Sequence, residues 1–356
     1  MLHRFTGGIR SLMVVVHRLA AALAVTSGVW LMGCAATPSA PAPGAVAYQR
    51  TGDEIMVCGQ FFHTGAPVVL WTDPGGYDAY RVEKRFAPLE KSSWKAMTED
   101  KGGPDSPNRY GLRTQGLAPE QIAKVRGGGW DLPTLQGVVD QFVIHYDVCG
   151  TSRTCFRVLH DMRGLSVHFM LDIDGTIYQT MDLKERAWHA TTSNDRSVGI
   201  EIANIGAYAV GKPDPFDRWY SLAPDGRERV SIPPDLGDGG VRTPGFVGYS
   251  SRDKAVVGPI NGTNYRMWDL TEEQYRSLEK LTASLCTVFP KLPCDAPRDE
   301  DGAVTTKTLD EARLKTYSGL IGHYHITKDK VDPGPAFQWE RVLGNARKQM
   351  PPSKTN

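Results

Sequence analysis

The chain has 356 residues, 41 Lys and Arg against 40 Asp and Glu, and 40% apolar residues. A formal charge of +1 leaves no basic footprint for nucleic acid, while the apolar share is enough for a substantial core. Frequent glycine (37) and proline (24) argue for a loop-rich fold rather than a helical bundle, and no apolar run beyond residue 33 reaches the roughly 20 residues of a bilayer-spanning helix.

Residues 1–33 read as a targeting segment. His3, Arg4, Arg10, His17 and Arg18 form a basic lead, and Leu19 to Met32 is an apolar run without charge. Met13 would serve equally well as a start. The run ends in Leu31-Met32-Gly33-Cys34, which resembles the lipobox of bacterial lipoproteins. That resemblance implies cleavage before Cys34, a lipid on its thiol and a membrane anchor. Ala35 resembles an outer-membrane sorting signal, so the expected location is the cell envelope, on the outer membrane facing the periplasm. Residues 34–49 are Pro- and Ala-rich and predict an extended tether. Export permits disulfides. Cys149 lies near Cys155 and Cys286 near Cys294, so the expected pairs are Cys149–Cys155 and Cys286–Cys294, with Cys58 left over.

Residues 50–130 read as a small β-rich region. Ile55-Met56-Val57 and Pro67 to Trp71 look like short strands between turn signals such as Asp73-Pro74-Gly75-Gly76. His63 stands alone and reads as structural. Residues 131–350 carry the chemistry. Gln141 to Tyr146 suits a buried strand with His145 near its end. Ser152 to Met162 reads as helix. Leu165 to Asp172 and Thr176 to Met181 read as a hairpin around Asp174-Gly175, and Ser197 to Ala203 as a buried strand. Residues 205–266 form an insertion rich in Gly, Pro and Asp. Leu270 to Phe289 is the clearest helix: Thr271 caps it, Gln274 follows three residues on, and Tyr275, Leu278, Leu281, Leu285 and Val288 recur at helical spacing. Phe337 to Gln349 predicts a terminal helix.

Six of the nine histidines fall between residues 145 and 325, which raises a metal hypothesis. A catalytic zinc site needs three protein ligands on rigid elements or sharp turns and one open position. His145 ends a strand, His323 follows Gly322, and Asp332 sits in Lys330-Val331-Asp332-Pro333-Gly334. Each signal alone is ordinary structural chemistry.

Taken in order, the pieces resemble the type 2 N-acetylmuramoyl-L-alanine amidases, relatives of the peptidoglycan recognition proteins. The matching segments are residues 142–145 (FVIH), 166–169 (SVHF), 174–179 (DGTIYQ), 187–190 (AWHA), 194–201 (NDRSVGIE), Gly322-His323 and 330–337 (KVDPGPAF). The resemblance implies an α/β fold, a central mixed sheet flanked by helices, with one zinc ion held by His145, His323 and Asp332. It assigns Glu201 as acid and base, Lys330 as a catalytic lysine, and peptidoglycan or muropeptides as substrate. His189 is expected to line the substrate groove or assist the oxyanion. Asn194 is expected to touch substrate or to hold its loop. His168 is expected to be structural or to orient a ligand. Cys149 and Cys155 also resemble a disulfide pair of the recognition proteins.

Two features depart from the family pattern. One residue is missing between His323 and Lys330, and His325 stands where an acidic residue is common. On a strand, residues two apart share a face, so His325 rivals His323 as ligand. Two other readings stay open: a peptidoglycan-binding module without activity, and a zinc amidase cutting another wall amide. A serine hydrolase is unsupported, since the chain has no Gly-x-Ser-x-Gly elbow.

Overall fold

The computed structural model describes residues 40–94, 107 and 109–352; the targeting segment, Cys34 and the start of the tether lie outside the described residues. Among the described residues no helix is long and apolar enough to cross a membrane.

Six short strands form a central sheet: β1 (Val68–Leu70), β2 (Gln141–Tyr146), β3 (Phe169–Leu171), β4 (Ile177–Gln179), β5 (Ser197–Ile202) and β6 (Gly319–Gly322). Their order is β6-β2-β5-β3-β4-β1. The first four of that order run parallel, β3 and β4 form an antiparallel hairpin, and β1 runs parallel to β4. The sheet is therefore mixed, as the family resemblance implies. The β3–β4 turn needs Gly175, with φ +82°; a Cβ there would also lie 2.7 Å from the Glu273 carbonyl oxygen.

The two faces of the sheet do different jobs. Side chains alternate along a strand. Phe142 and Ile144 of β2, Val198, Ile200 and Ile202 of β5, and Leu320 of β6 all enter one apolar core. That core is closed by helix α2 (Glu272–Val288) and the terminal helix α3 (Trp339–Gln349), through Leu278, Leu281, Leu285, Val342 and Leu343. Each such side chain contributes about 1.5–3 kcal/mol on burial. Helix α2 starts at the expected capping box, where Thr271 accepts from the Gln274 N–H and the Gln274 side chain accepts from the Thr271 N–H. Arg341 of α3 pairs with Glu272 and Glu279 across the two helices. The alternate residues Val143 and Ile321 belong to a separate cluster on the opposite face. By the same alternation, His145, Ser197, Gly199 and Glu201 face that side.

A helical segment, α1 (Ser152–Phe156), runs on as a π-helical turn over Arg157–Arg163 and packs Phe156 and Leu159 against Met170 and Tyr178. The expected strand over 165–172 is paired only at Phe169–Leu171. Ahead of it, Ser166 and His168 spend their polar groups on Arg109, Trp188, Glu185 and Gly199.

In the N-terminal region, Glu54–Val57 and Gln60–His63 form a hairpin flanked by Val46–Ala47. Ile55, Val57 and Phe62 enter the same core as the central sheet. His63 meets Asp53 at 2.9 Å, and Glu54 is held by Arg50 and the Thr51 and Gly52 N–H groups, so this cluster ties down a turn. Residues 205–266 are folded. Ala207–Ala209, Val256–Ile260 and Thr263–Met267 form a three-stranded sheet, and Tyr220–Leu222 pairs with Glu228–Val230. Phe216, Trp219 and Tyr220 give this part its own small core around Ile205.

Candidate metal centre and catalytic cleft

The carboxyl ends of β2, β5 and β6 open into a cavity of about 630 Å³ lined by His145, Glu201, His189, His323, Lys330 and Asp332, among others. Such strand ends are the usual ligand position in open α/β sheets. His145 is the penultimate residue of β2, His323 begins a short helical turn (His323–Ile326) straight after β6, and Asp332 precedes a cis peptide to Pro333.

His145 Nδ1 lies 2.7 Å from Asp332 Oδ2, and His323 Nδ1 lies 3.1 Å from the same oxygen. The two rings stand 4.6 Å apart at 82°. All three residues are buried, and one ligand atom from each falls within 4.8 Å of the others. Burial, followed by the His323 charge, pushes the His145 pKa down and favours the neutral imidazole, the form that binds metals. Burial pushes the Asp332 carboxyl up, but hydrogen bonds from His145 and His323 outweigh it and leave the group below the ordinary carboxylate range. A two-nitrogen, one-oxygen set converging in a buried pocket fits zinc, and His323 Nε2 has no partner among the described residues.

His325 takes no part in this cluster. Beyond Gly322 the chain is helical rather than extended, so two residues on means a turn of about 200° and not a shared face. Its Nδ1 accepts from the Gly322 N–H at 2.9 Å and its Nε2 donates to the Thr305 carbonyl at 2.8 Å. The expectation that it rivals His323 is corrected by that geometry.

Glu201 sits beside His145 as its register partner on the adjacent strand. Burial, and then the charges of Asp332 and Asp147, push its carboxyl well above the usual value. Its Oε2 is enclosed and has no partner among the described residues. Lys330 lines the same cavity, close enough for its charge to oppose protonation of His145. Asn194 also borders the cavity, but its Oδ1 accepts from the His189 N–H at 3.1 Å and the Ala190 N–H at 2.7 Å, so it holds the Trp188-His189-Ala190 turn. His168 lies apart from the three-residue cluster, with Nδ1 accepting from the Gly199 N–H and Nε2 donating to the Glu185 carbonyl.

Two residues in and behind the cleft, Asp147 and Arg113, had no legible signal. Asp147 accepts at Oδ1 from the N–H groups of Cys149, Gly150 and Asn204, and burial raises its carboxyl to about 7. Arg113, fully buried, donates to the carbonyls of Leu183, Asn194 and Asp195, and so pins the loops that carry the cleft wall. It comes from a stretch with no periodicity or motif. Cys149, Cys155, Cys286, Cys294 and Cys58 are all thiols in the structure, with Cys149 next to Cys155 and Cys286 next to Cys294.

The chain is similar to several known proteins. A 1,6-anhydro-N-acetylmuramyl-L-alanine amidase, AmpD, from Haemophilus influenzae is 24% identical over 232 residues, covering 65% of this chain and 78% of the relative. A solved selenomethionine derivative of AmpD is similar over 69% of this chain and 92% of its own, with 16% identity and a TM-score of 0.30. The E. coli amidase AmiD, solved with an anhydro-N-acetylmuramic acid peptide as substrate, matches over 58% of this chain and 57% of its own, with 16% identity and a TM-score of 0.32. The family model described as N-acetylmuramoyl-L-alanine amidase matches residues 135–335, from just before β2 to just past Asp332. With more than half the sequence inside that match, the chain belongs to the N-acetylmuramoyl-L-alanine amidase family.

Proposed function

We propose that this amidase holds one zinc ion between His145, His323 and Asp332 and hydrolyses the amide linking N-acetylmuramic acid to L-alanine in peptidoglycan or its soluble fragments. The observation that carries the reading is the convergence of two imidazole nitrogens on one Asp332 oxygen, with Glu201 Oε2, which has no partner among the described residues, lining the same cavity.

When bound, zinc supplies Lewis acidity at the scissile carbonyl and lowers the pKa of water from 15.7 to about 7. Glu201 takes the proton of the attacking water and returns it to the departing L-alanine amine, since an amine leaves more readily than an amide anion. A carboxyl held above its ordinary range by burial is suited to both halves of that transfer. The Lys330 ammonium stabilises the negative charge that grows on the carbonyl oxygen. Arg186, stacked 4.2 Å over the Trp188 ring, stiffens the aromatic wall against which a sugar ring would lie.

The sequence pattern around Cys34 supports export and lipid anchoring in the cell envelope. The proximity of the two cysteine pairs supports disulfides Cys149–Cys155 and Cys286–Cys294 in that compartment. Residues 131–350 form the catalytic domain in this reading, with 205–266 inserted after Glu201. Mass spectrometry of sacculi and muropeptide digests, with and without chelator, tests the proposal: stem peptides with a free L-alanine amine should appear only without chelator. Binding of sacculi with no such release would favour a binding module.

A further inference from the structure

The ring of His189 fills the space between β5 and the ligand His145. His145 turns Nδ1 toward Asp332 and Nε2 toward His189 Nδ1, at 3.1 Å. The other His189 nitrogen, Nε2, lies 3.3 Å from Ser197 Oγ. The two rings meet edge to face, 5.3 Å apart at 84°. Gly199 lies directly beneath the ring: a Cβ there would stand 2.4 Å from His189 Cε1 and 2.5 Å from Nδ1. Asn194 fixes the His189 backbone N–H from the other side.

We propose that His189 is a positioning residue for the metal ligand His145, accepting its Nε2 proton and so leaving Nδ1 free for the cation. This rests on the reading of His145, His323 and Asp332 as a metal centre. A neutral imidazole has one N–H and one lone pair. For Nδ1 of His145 to ligate, the proton must sit on Nε2, and that buried N–H needs an acceptor. His189 Nδ1 is the acceptor in reach. To accept, His189 must carry its own proton on Nε2, where Ser197 Oγ can receive it. With Nδ1 of His145 committed to the cation, His145, His189 and Ser197 form one chain with a single assignment of protons, each imidazole Nε2–H donating to the next member. Both His189 nitrogens are committed within it, so no ring N–H is left to aim at a substrate oxyanion.

The test is zinc affinity, read by competition with a chromophoric chelator, together with the visible absorption of the cobalt-substituted protein. His189→Leu should bind zinc about 10–100-fold more weakly and shift the cobalt bands. His189→Asn, which places an acceptor oxygen at the Nδ1 position, should keep both near the parent. His189→Gln, with its oxygen at the Nε2 position, should behave like the leucine variant. If His189→Leu does not fold, the contrast between Asn and Gln decides alone. Equal affinity and equal cobalt spectra for the Asn and Gln variants would overturn the assignment. His145→Ala separates the two levels of the reading. If it still binds zinc like the parent, the metal centre is wrong. If it loses zinc while the His189 variants do not, only the role of His189 falls.

Discussion

His145 and Glu201 are register partners on adjacent parallel strands, each the penultimate residue of its strand, on the face turned away from α2 and α3. This pairing puts the proposed proton acceptor next to a proposed metal ligand although the two lie far apart in sequence. It also separates their roles, which makes them separable by mutation.

Replacing Glu201 should leave the metal site intact and stop the chemistry. For Glu201→Gln, hydrolysis of purified muropeptide should fall by about 10²–10⁴-fold, the usual worth of a positioned acid and base. Zinc content by elemental analysis should stay at one per chain. A variant that digests at the parental rate would mean that the proton goes elsewhere.

Metal removal should cost stability as well as activity. Asp332 with two imidazoles around one oxygen is a buried polar cluster whose charges a cation would balance. A ligand present at 100 times its Kd stabilises the folded state by about 2.7 kcal/mol, so dialysis against chelator should lower Tm by about 4 °C in a folded unit of roughly 300 residues. Zinc should restore it in the parent and not in Asp332→Ala. An identical Tm with and without metal would count against the site.

Gly199 should be intolerant of any side chain. The Cβ of Gly199→Ala would overlap the His189 ring, and overpacking of this kind costs about 1–3 kcal/mol. The ring must shift, so zinc affinity should fall together with stability. Chemical denaturation and chelator competition on the same preparation measure both.

Asp172 gives a pH dependence with a definite sign. Burial, reinforced by the charge of Asp174, raises its carboxyl to about 7, and its Oδ2 has no partner among the described residues. An acid with a raised folded pKa binds its proton more tightly when folded. Its contribution to stability is therefore present at low pH and is lost as pH rises from about 4 to about 7. Asp172→Asn removes that dependence. Relative to the parent it should gain about 1–4 kcal/mol between pH 5 and pH 8, read from urea midpoints. A parallel pair of curves would show that Asp172 does not titrate in this window.

The cysteines should sort by neighbourhood. Alkylation and mass spectrometry of exported protein should find Cys149 bonded to Cys155 and Cys286 bonded to Cys294, with Cys58 free. Burial raises the Cys58 thiol to about 12, so it should also react slowly in the folded protein. Free Cys286 and Cys294 in periplasmic material would contradict the second pair.

Much of the architecture was legible in the linear chain because it depends on local periodicity and capping. The α2 capping box at Thr271 and Gln274, the Asp174-Gly175 hairpin, and strands β2 and β5 fall where pattern and turn chemistry place them. The order of His145, Glu201, His323 and Asp332 was also legible, as a family pattern. Tertiary structure decided what depends on neighbours from distant segments. The chain turns helical after Gly322, which sends His325 to Thr305 and leaves His323 facing Asp332. The parallel register sets Glu201 against His145, and the bare Cα of Gly199 makes room for His189. Periodicity reports which face a residue takes, but hydrogen-bond direction and close packing exist only once separate strands are brought within a few ångströms of one another.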